Sequence, residues 1–174
     1  MKDLKMSTAP APPAKELPVT PLLIQKAIAW AEAQYAAIAQ TGLPLDDAQL
    51  AMAASVGVQH PDRIRIAEVQ RFPVPDDPAL KQTAFDTGLL GPDTLGLTLG
   101  YGVYVRQGYI GQGHIRQGFS SNRLLSHEFR HVYQYEQAGS ISAFLLEYLQ
   151  QIVMFGYSKA PFEVDARAHE KDHA

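Results

Sequence analysis

The hydrophobic positions of this chain change period as it runs. Leu23, Ala27, Trp30, Ala31, Gln34 and Ile38 lie along one helical stripe, broken only by Gln34. Thr20 is a natural N-cap and Pro21 suits a first turn, so the pattern predicts a helix from about 21 to 41. Thr41-Gly42 ends it, with Gly42 expected as a left-handed cap. A shorter helix is predicted from Asp46 to about Ser55, started by Asp46 or Asp47 and closed by Gly57 to Pro61. The period then drops to two. Ile64, Ile66 and Val69 alternate with Arg63, Arg65 and Glu68, the pattern of a half-exposed strand. Pro73, Pro75 and Pro78, with Asp76 and Asp77 between them, read as a loop, and residues 83–93 carry no decisive pattern. The alternation from Leu95 to Val105 predicts one bent strand or a tight strand pair. Its glycines mark bulges or a close backbone approach. A Gly/Gln loop is expected from Gln107 to Gly118. The last third reads as three helices, about 121–138, 140–155 and 161–170, separated by Gly139 and Gly156 and with Pro161 opening the last.

Composition narrows the class. With 46% hydrophobic residues in 174, the chain can bury a core without staples, which excludes wholesale disorder. Residues 1–20, punctuated by Pro10, Pro12, Pro13 and Pro18, read as a flexible Pro-rich arm, and 21–174 as a single domain. The net charge of −3 argues against a nucleic-acid partner. The absence of cysteine excludes a disulfide framework, a thiol nucleophile and any thiolate metal site. No apolar run approaches the length of a transmembrane helix, and the start lacks the apolar stretch of a signal peptide. The expectation is therefore no membrane insertion and a cytoplasmic location.

One segment carries chemistry. His127-Glu128-Phe129-Arg130-His131 is an H-E-x-x-H sequence, which this composition would produce by chance with an expectation of roughly 1%. Ser120 or Ser121 can cap a helix here, and Leu124, Leu125, Phe129 and Val132 supply its buried faces. At about 100° per residue, His127 and His131 sit one turn apart and about 40° round, so both imidazoles can reach one ion. Two neutral imidazoles, a third protein ligand and an open position make a catalytic zinc site. Glu128 projects to the flank, where it can serve as general base toward a water activated by the metal. The competing explanation is a charged helix face with incidental histidines. It sits badly with a helix so rich in apolar residues, because buried ionisable groups are costly unless paired or metal-bound.

A third ligand must come from elsewhere. Glu136 lies on the same helix beyond easy convergence. Glu147 shares a polar stripe with Gln150 and Gln151, opposite Phe144, Leu145, Leu149, Ile152 and Val153, and reads as solvated. A helix opened by Pro161 aims Glu163 from its first turn, with small Ala166 allowing close packing on the H-E-x-x-H helix. Glu163 is the ligand chosen, with His169 in reserve. Asp165 is then expected to accept an N–H from a ligand imidazole. Asp165, Arg167 and Glu170 read otherwise as helix-surface pairs.

The stretch from Leu124 to Tyr135 resembles the H-E-L-x-H-V-x-Q form found in small bacterial domains of the zincin metallopeptidase type, in the branch with a glutamate third ligand. The resemblance extends from Leu95 through Ala166, under half the chain, and takes in Gly139, Phe144, Tyr148, Gly156-Tyr157 and Pro161-Phe162-Glu163. It implies an α+β, zincin-like fold, with a small twisted sheet packed on helices and the H-E-x-x-H helix covering the sheet. It implies Zn2+ held by His127, His131 and Glu163, with Glu128 as general base. It also implies a hydrolase of peptide bonds, with a peptide or protein substrate laid along strand Leu97–Val105. One departure stands out: 31 residues separate His131 from Glu163, more than in the best-known Glu-ligand peptidases. The alternative from another class is a non-catalytic, metal-stabilised peptide-binding or assembly module, which a closed fourth ligand such as His114 or His169 would mark. Weaker candidates are His114, Tyr133, Tyr135 and Tyr157 for an oxyanion, and Arg106 and Arg116 for steering an acidic group.

Overall fold

Thr20 accepts the Leu23 N–H through its hydroxyl, and Pro21 opens α1 (Pro21–Thr41). Leu23, Ala31 and Ile38 form the buried stripe of this helix. Gly42 follows it in extended conformation, φ −73°, instead of the expected left-handed cap. Its lack of a side chain serves close approach: a Cβ there would sit 2.7 Å from the Ile38 carbonyl oxygen and 2.8 Å from Arg65 Cβ. The computed structural model describes residues 19–110, 115–116 and 119–172, so most of the expected arm lies outside the described residues.

The chain continues through β1 (Leu43–Pro44), too short to show a period, into α2 (Asp47–Ser55). Asp46 and Gln49 close a reciprocal capping box at the start of α2. Strand β2 (Arg65–Val69) follows, with Ile66 turned inward. The Pro/Asp segment expected as a loop starts α3 (Pro78–Asp86). Asp77 caps the Leu80 N–H at 2.9 Å and Pro78 occupies the first turn, so the residues read as breakers are a helix-start signal. Asp77 also pairs with Lys26 of α1 at 2.5 Å. The segment from Leu95 to Val105 is a strand pair, β3 (Gly96–Leu99) and β4 (Gly102–Arg106), joined at Gly100-Tyr101. Within the expected Gly/Gln loop, β5 (Ile115–Arg116) and β6 (Phe119–Ser120) pair antiparallel, consistent with the strand preference of Ile115 and Phe119. Three helices complete the chain: α4 (Ser121–Ala138), α5 (Ile141–Phe155) and α6 (Pro161–Ala168).

The architecture is α+β. The main sheet has order β1-β2-β4-β3, with β2 and β4 parallel and the other pairs antiparallel. Central β4 is buried on both faces. Val103 and Val105 pack with Ile64, Ile66 and Met52 against Leu125, Phe129 and Val132 of α4. Tyr104 faces the other way, into a core with Ala31 and Ile38 of α1 and Phe144 and Ile152 of α5. Helices thus cover both faces of the sheet. Strand β3, at the edge of the four-stranded sheet, runs beside α4. Among the described residues, no single helix is long and apolar enough to cross a membrane.

Candidate metal centre

Helix α4 places His127 and His131 one turn apart, with ring centroids 4.8 Å apart and planes at 77°. Their Nε2 atoms are 3.2 Å from each other. Glu163 reaches them from the first turn of α6, its Oε2 3.4 Å from His127 Nε2 and its Oε1 3.2 Å from His131 Nε2. These three ligand atoms lie within 4.8 Å of one another, the spacing of donors around a single ion. Ala166, fully buried, lets α6 approach α4 closely. Gln151 of α5 fixes the start of α6 by accepting the Phe162 N–H at 2.9 Å. Gln151 is buried and Val153 half-exposed, the reverse of the polar stripe expected on α5. Glu147, on that helix, is exposed and accepts only the Gln151 amide among the described residues.

Both imidazoles are oriented by their other nitrogen. Gln134, itself buried, donates its amide to the Phe162 carbonyl at 2.9 Å and to Asp165 at 2.8 Å. Those partners only accept, so the Gln134 carbonyl oxygen faces His131 Nδ1 at 2.8 Å, and that nitrogen carries the hydrogen. Glu170, just past α6, accepts from His127 Nδ1 at 3.1 Å. A carboxylate cannot donate, so this nitrogen carries its hydrogen too. With Nδ1 engaged in this way, the Nε2 of each ring faces Glu163, as a hydrogen-bond donor when protonated and as a lone pair when the ring is neutral. Asp165 does not take an imidazole N–H from either ligand histidine, as had been expected. It accepts a forked pair from Arg130, at 2.7 and 3.1 Å, and steadies Gln134, which supplies that acceptor instead.

The charges in this cluster support one another. Burial disfavours the Glu163 carboxylate, but hydrogen bonds from His127, His131 and Tyr148 outweigh it and hold its pKa well below the usual carboxylate range. The Tyr148 hydroxyl donates to Glu163 Oε1 at 2.5 Å. Burial likewise opposes the His127 imidazolium, yet Glu163, Glu128 and Glu170 raise its pKa to about 9. Arg167 of α6 adds a positive charge to the cluster, its Nη1 3.7 Å from Glu163 Oε2.

Glu128 points to the other flank of α4 and is 5% exposed. Thr98 of β3 lies against it, 2.6 Å from Oε2 and 3.2 Å from the Glu128 carbonyl oxygen. The carboxylate rests directly over Gly96, where a Cβ would come within 2.2 Å of Oε1. Only a residue without a side chain leaves room for this glutamate, which is the close backbone approach that the glycines of this strand predict.

A cleft of about 500 Å³ opens over the centre. It is lined by His127, Glu128 and Glu163 together with residues 88–96, Tyr157, Arg167 and Glu170. Of the three tyrosines raised as donors, Tyr157 alone is part of the cleft lining. Tyr135 stacks on Phe144 at 3.8 Å and Tyr133 lies under the Arg130 guanidinium at 3.9 Å. His169 stands apart from the cluster, its Nδ1 2.8 Å from the Asp165 carbonyl oxygen. Glu136 accepts the backbone N–H groups of Gln59 and His60 at 2.7 and 2.9 Å. Arg106 holds the carbonyls of Thr94 and Pro92 and so shapes a cleft wall instead of steering a ligand. His114 lies outside the described residues.

Five residues of the site are not marked as such in the sequence: Gln134, Glu170, Arg167, Thr98 and Tyr148. Gln134 was visible as the last residue of the H-V-x-Q form. The others meet the site only through tertiary contacts. Comparison with family models, with curated proteins and with solved structures gives no match to this chain.

Proposed function

We propose that this chain is a zinc-dependent hydrolase of zincin-like fold that cleaves peptide bonds. The observation that carries the reading is the direction of the two imidazole Nε2 atoms. Both Nδ1 hydrogens are engaged by outward acceptors, Gln134 and Glu170, so both Nε2 atoms and a Glu163 oxygen converge on one point. Three such atoms that close need positive charge among them, which the His127 proton supplies until a metal ion replaces it. Two nitrogens and one carboxylate oxygen suit zinc, and among the described residues no fourth His, Asp or Glu joins them. His127 and Glu163 also line the cleft, so a substrate can reach this site, which supports an enzyme.

When bound, zinc supplies Lewis acidity, polarising a carbonyl and lowering the pKa of a water to about 7. Glu128 takes a proton from the attacking water and delivers it to the departing amine, so that an amide and water become an acid and an amine. Thr98 fixes one oxygen of that carboxylate and leaves the other, over Gly96, free to act. Tyr157 and Arg167, both in the cleft lining, bring an O–H and N–H groups to the carbonyl oxygen as it gains charge. Edge strand β3 offers backbone groups to an extended peptide, the partner this reading requires.

The test is a peptide library incubated with zinc-loaded wild type and with Glu128→Gln. Cleavage by wild type, reduced about 10²–10⁴-fold in the variant at equal zinc content, is the expected result. A zinc-loaded wild type that binds peptides and cuts none would favour the metal-stabilised binding module.

A further inference from the structure

Helices α1, α3 and α5 and strand β3 line a partly open apolar pocket of about 90 Å³, on the far side of Thr98 and Tyr148 from the candidate metal centre. Leu23 and Trp30 of α1, Leu80 of α3, Leu97 of β3, and Leu145 and Leu149 of α5 make its walls almost entirely of carbon. A water needs only about 10–15 Å³, but also two to four polar partners, which such walls do not offer. Of the four hydroxyl-bearing residues in the lining, Thr83, Thr98, Tyr135 and Tyr148, two turn their hydroxyls away, Thr98 to Glu128 and Tyr148 to Glu163. Protein interiors are otherwise close-packed, with few voids larger than a water molecule. An engineered apolar cavity of about 150 Å³ stays dry and takes up benzene. Leu89 and Leu90 line both this cavity and the cleft over the metal centre.

We propose that the cavity is a binding site for a short aliphatic group, supplied by a free alkyl ligand or by a side chain of a molecule held in the cleft. The site is independent of zinc and of hydrolysis. Its walls are built by hydrophobic packing, and its chemistry selects carbon chains over polar or charged groups.

Trp30 is the chain's only tryptophan and it lines the cavity, so its fluorescence reports occupancy without a label. The probe is 1-bromobutane, whose bromine quenches an indole on contact, in a chain with no cysteine to alkylate. Saturable quenching is expected in zinc-free and zinc-loaded protein alike. Ala27→Leu and Ala84→Leu fill the space from α1 and from α3 and are each expected to abolish the saturable component with far-UV circular dichroism unchanged. Competition in the wild type separates the two sources and decides the matter should either variant misfold. Recovery of fluorescence with butan-1-ol alone assigns the site to a free alkyl ligand. Recovery with N-acetyl-leucinamide as well assigns it to a side chain of a larger molecule. Quenching that rises linearly with probe and is equal in both variants overturns the proposal, as does saturable quenching that neither competitor reverses.

Discussion

Thr98 Oγ1 stands 2.6 Å from Glu128 Oε2, so the edge strand of the sheet grips the carboxylate beside the candidate metal ligands. Gly96, two residues earlier on the same strand, lies beneath that carboxylate. Strand and helix therefore place the Glu128 carboxylate, the proposed base, together. A methyl group at position 96 would displace it without touching any ligand. Gly96→Ala is predicted to lower turnover about 10²-fold or more, as loss of the base does, while zinc content stays at the wild-type level. Loss of zinc together with turnover would mean that the strand supports the ligands instead.

Gln134 and Glu170 act through the imidazoles they hold. Gln134→Leu and Glu170→Ala are each predicted to weaken zinc binding about 10–100-fold, the usual cost of losing a partner to a ligand histidine. Competition against a chelator of known affinity measures it. Asp165→Asn tests the next step outward. It weakens the grip of Arg130 on the Gln134 support, and its effect is predicted to be smaller than that of Gln134→Leu.

At the proposed centre, zinc competes with a proton for His127. Its pKa of about 9 in the metal-free protein means that zinc must displace a proton at neutral pH. Apparent affinity is predicted to rise about tenfold per pH unit toward 9 and to flatten above it. Calorimetry in buffers of different ionisation enthalpy should count about one proton released per zinc at neutral pH. The same shift affects folding in the opposite sense. A histidine whose pKa is raised on folding stabilises the metal-free protein fully below its unfolded value of 6.5, and that contribution is lost as pH rises through about 9. Melting curves of metal-free protein across this window are the check.

Helix α3 rests on a cap that its prolines concealed. Asp77 accepts the Leu80 N–H and pairs with Lys26. In Asp77→Ala the Leu80 amide is predicted to exchange faster, with the amides of α4 unaffected. Unchanged exchange at Leu80 would leave the cap without a role.

What could be seen in the chain before folding divides along one physical line. His127, Glu128 and His131 share a helix, so a fixed angle per residue already sets which of them can meet at one ion. The α4 and α5 helices and the β3–β4 pair were legible for the same reason, because period and punctuation are local properties. Glu163 was reachable by argument because Pro161 marks a helix start and a first turn has a direction. Nothing local relates Thr98 to Glu128, or Tyr148 to Glu163, across 30 and 15 residues. Glu170 resembled a helix-surface charge because its partner, His127, lies 43 residues away. Gly42 was misjudged because a glycine after a helix usually marks a left-handed turn, whereas here the neighbouring Arg65 of β2 demands the space.

Zinc stoichiometry tests the central claim most directly, before any substrate is known. Metal-stripped wild type, Glu128→Gln, Glu163→Gln and His131→Ala are each titrated with zinc and the bound metal counted. One zinc per chain is predicted for wild type and for Glu128→Gln, with weakened binding in Glu163→Gln and none at stoichiometric level in His131→Ala. Full occupancy in His131→Ala, or loss of zinc from Glu128→Gln with Glu163→Gln retaining it, would contradict the assignment of this centre.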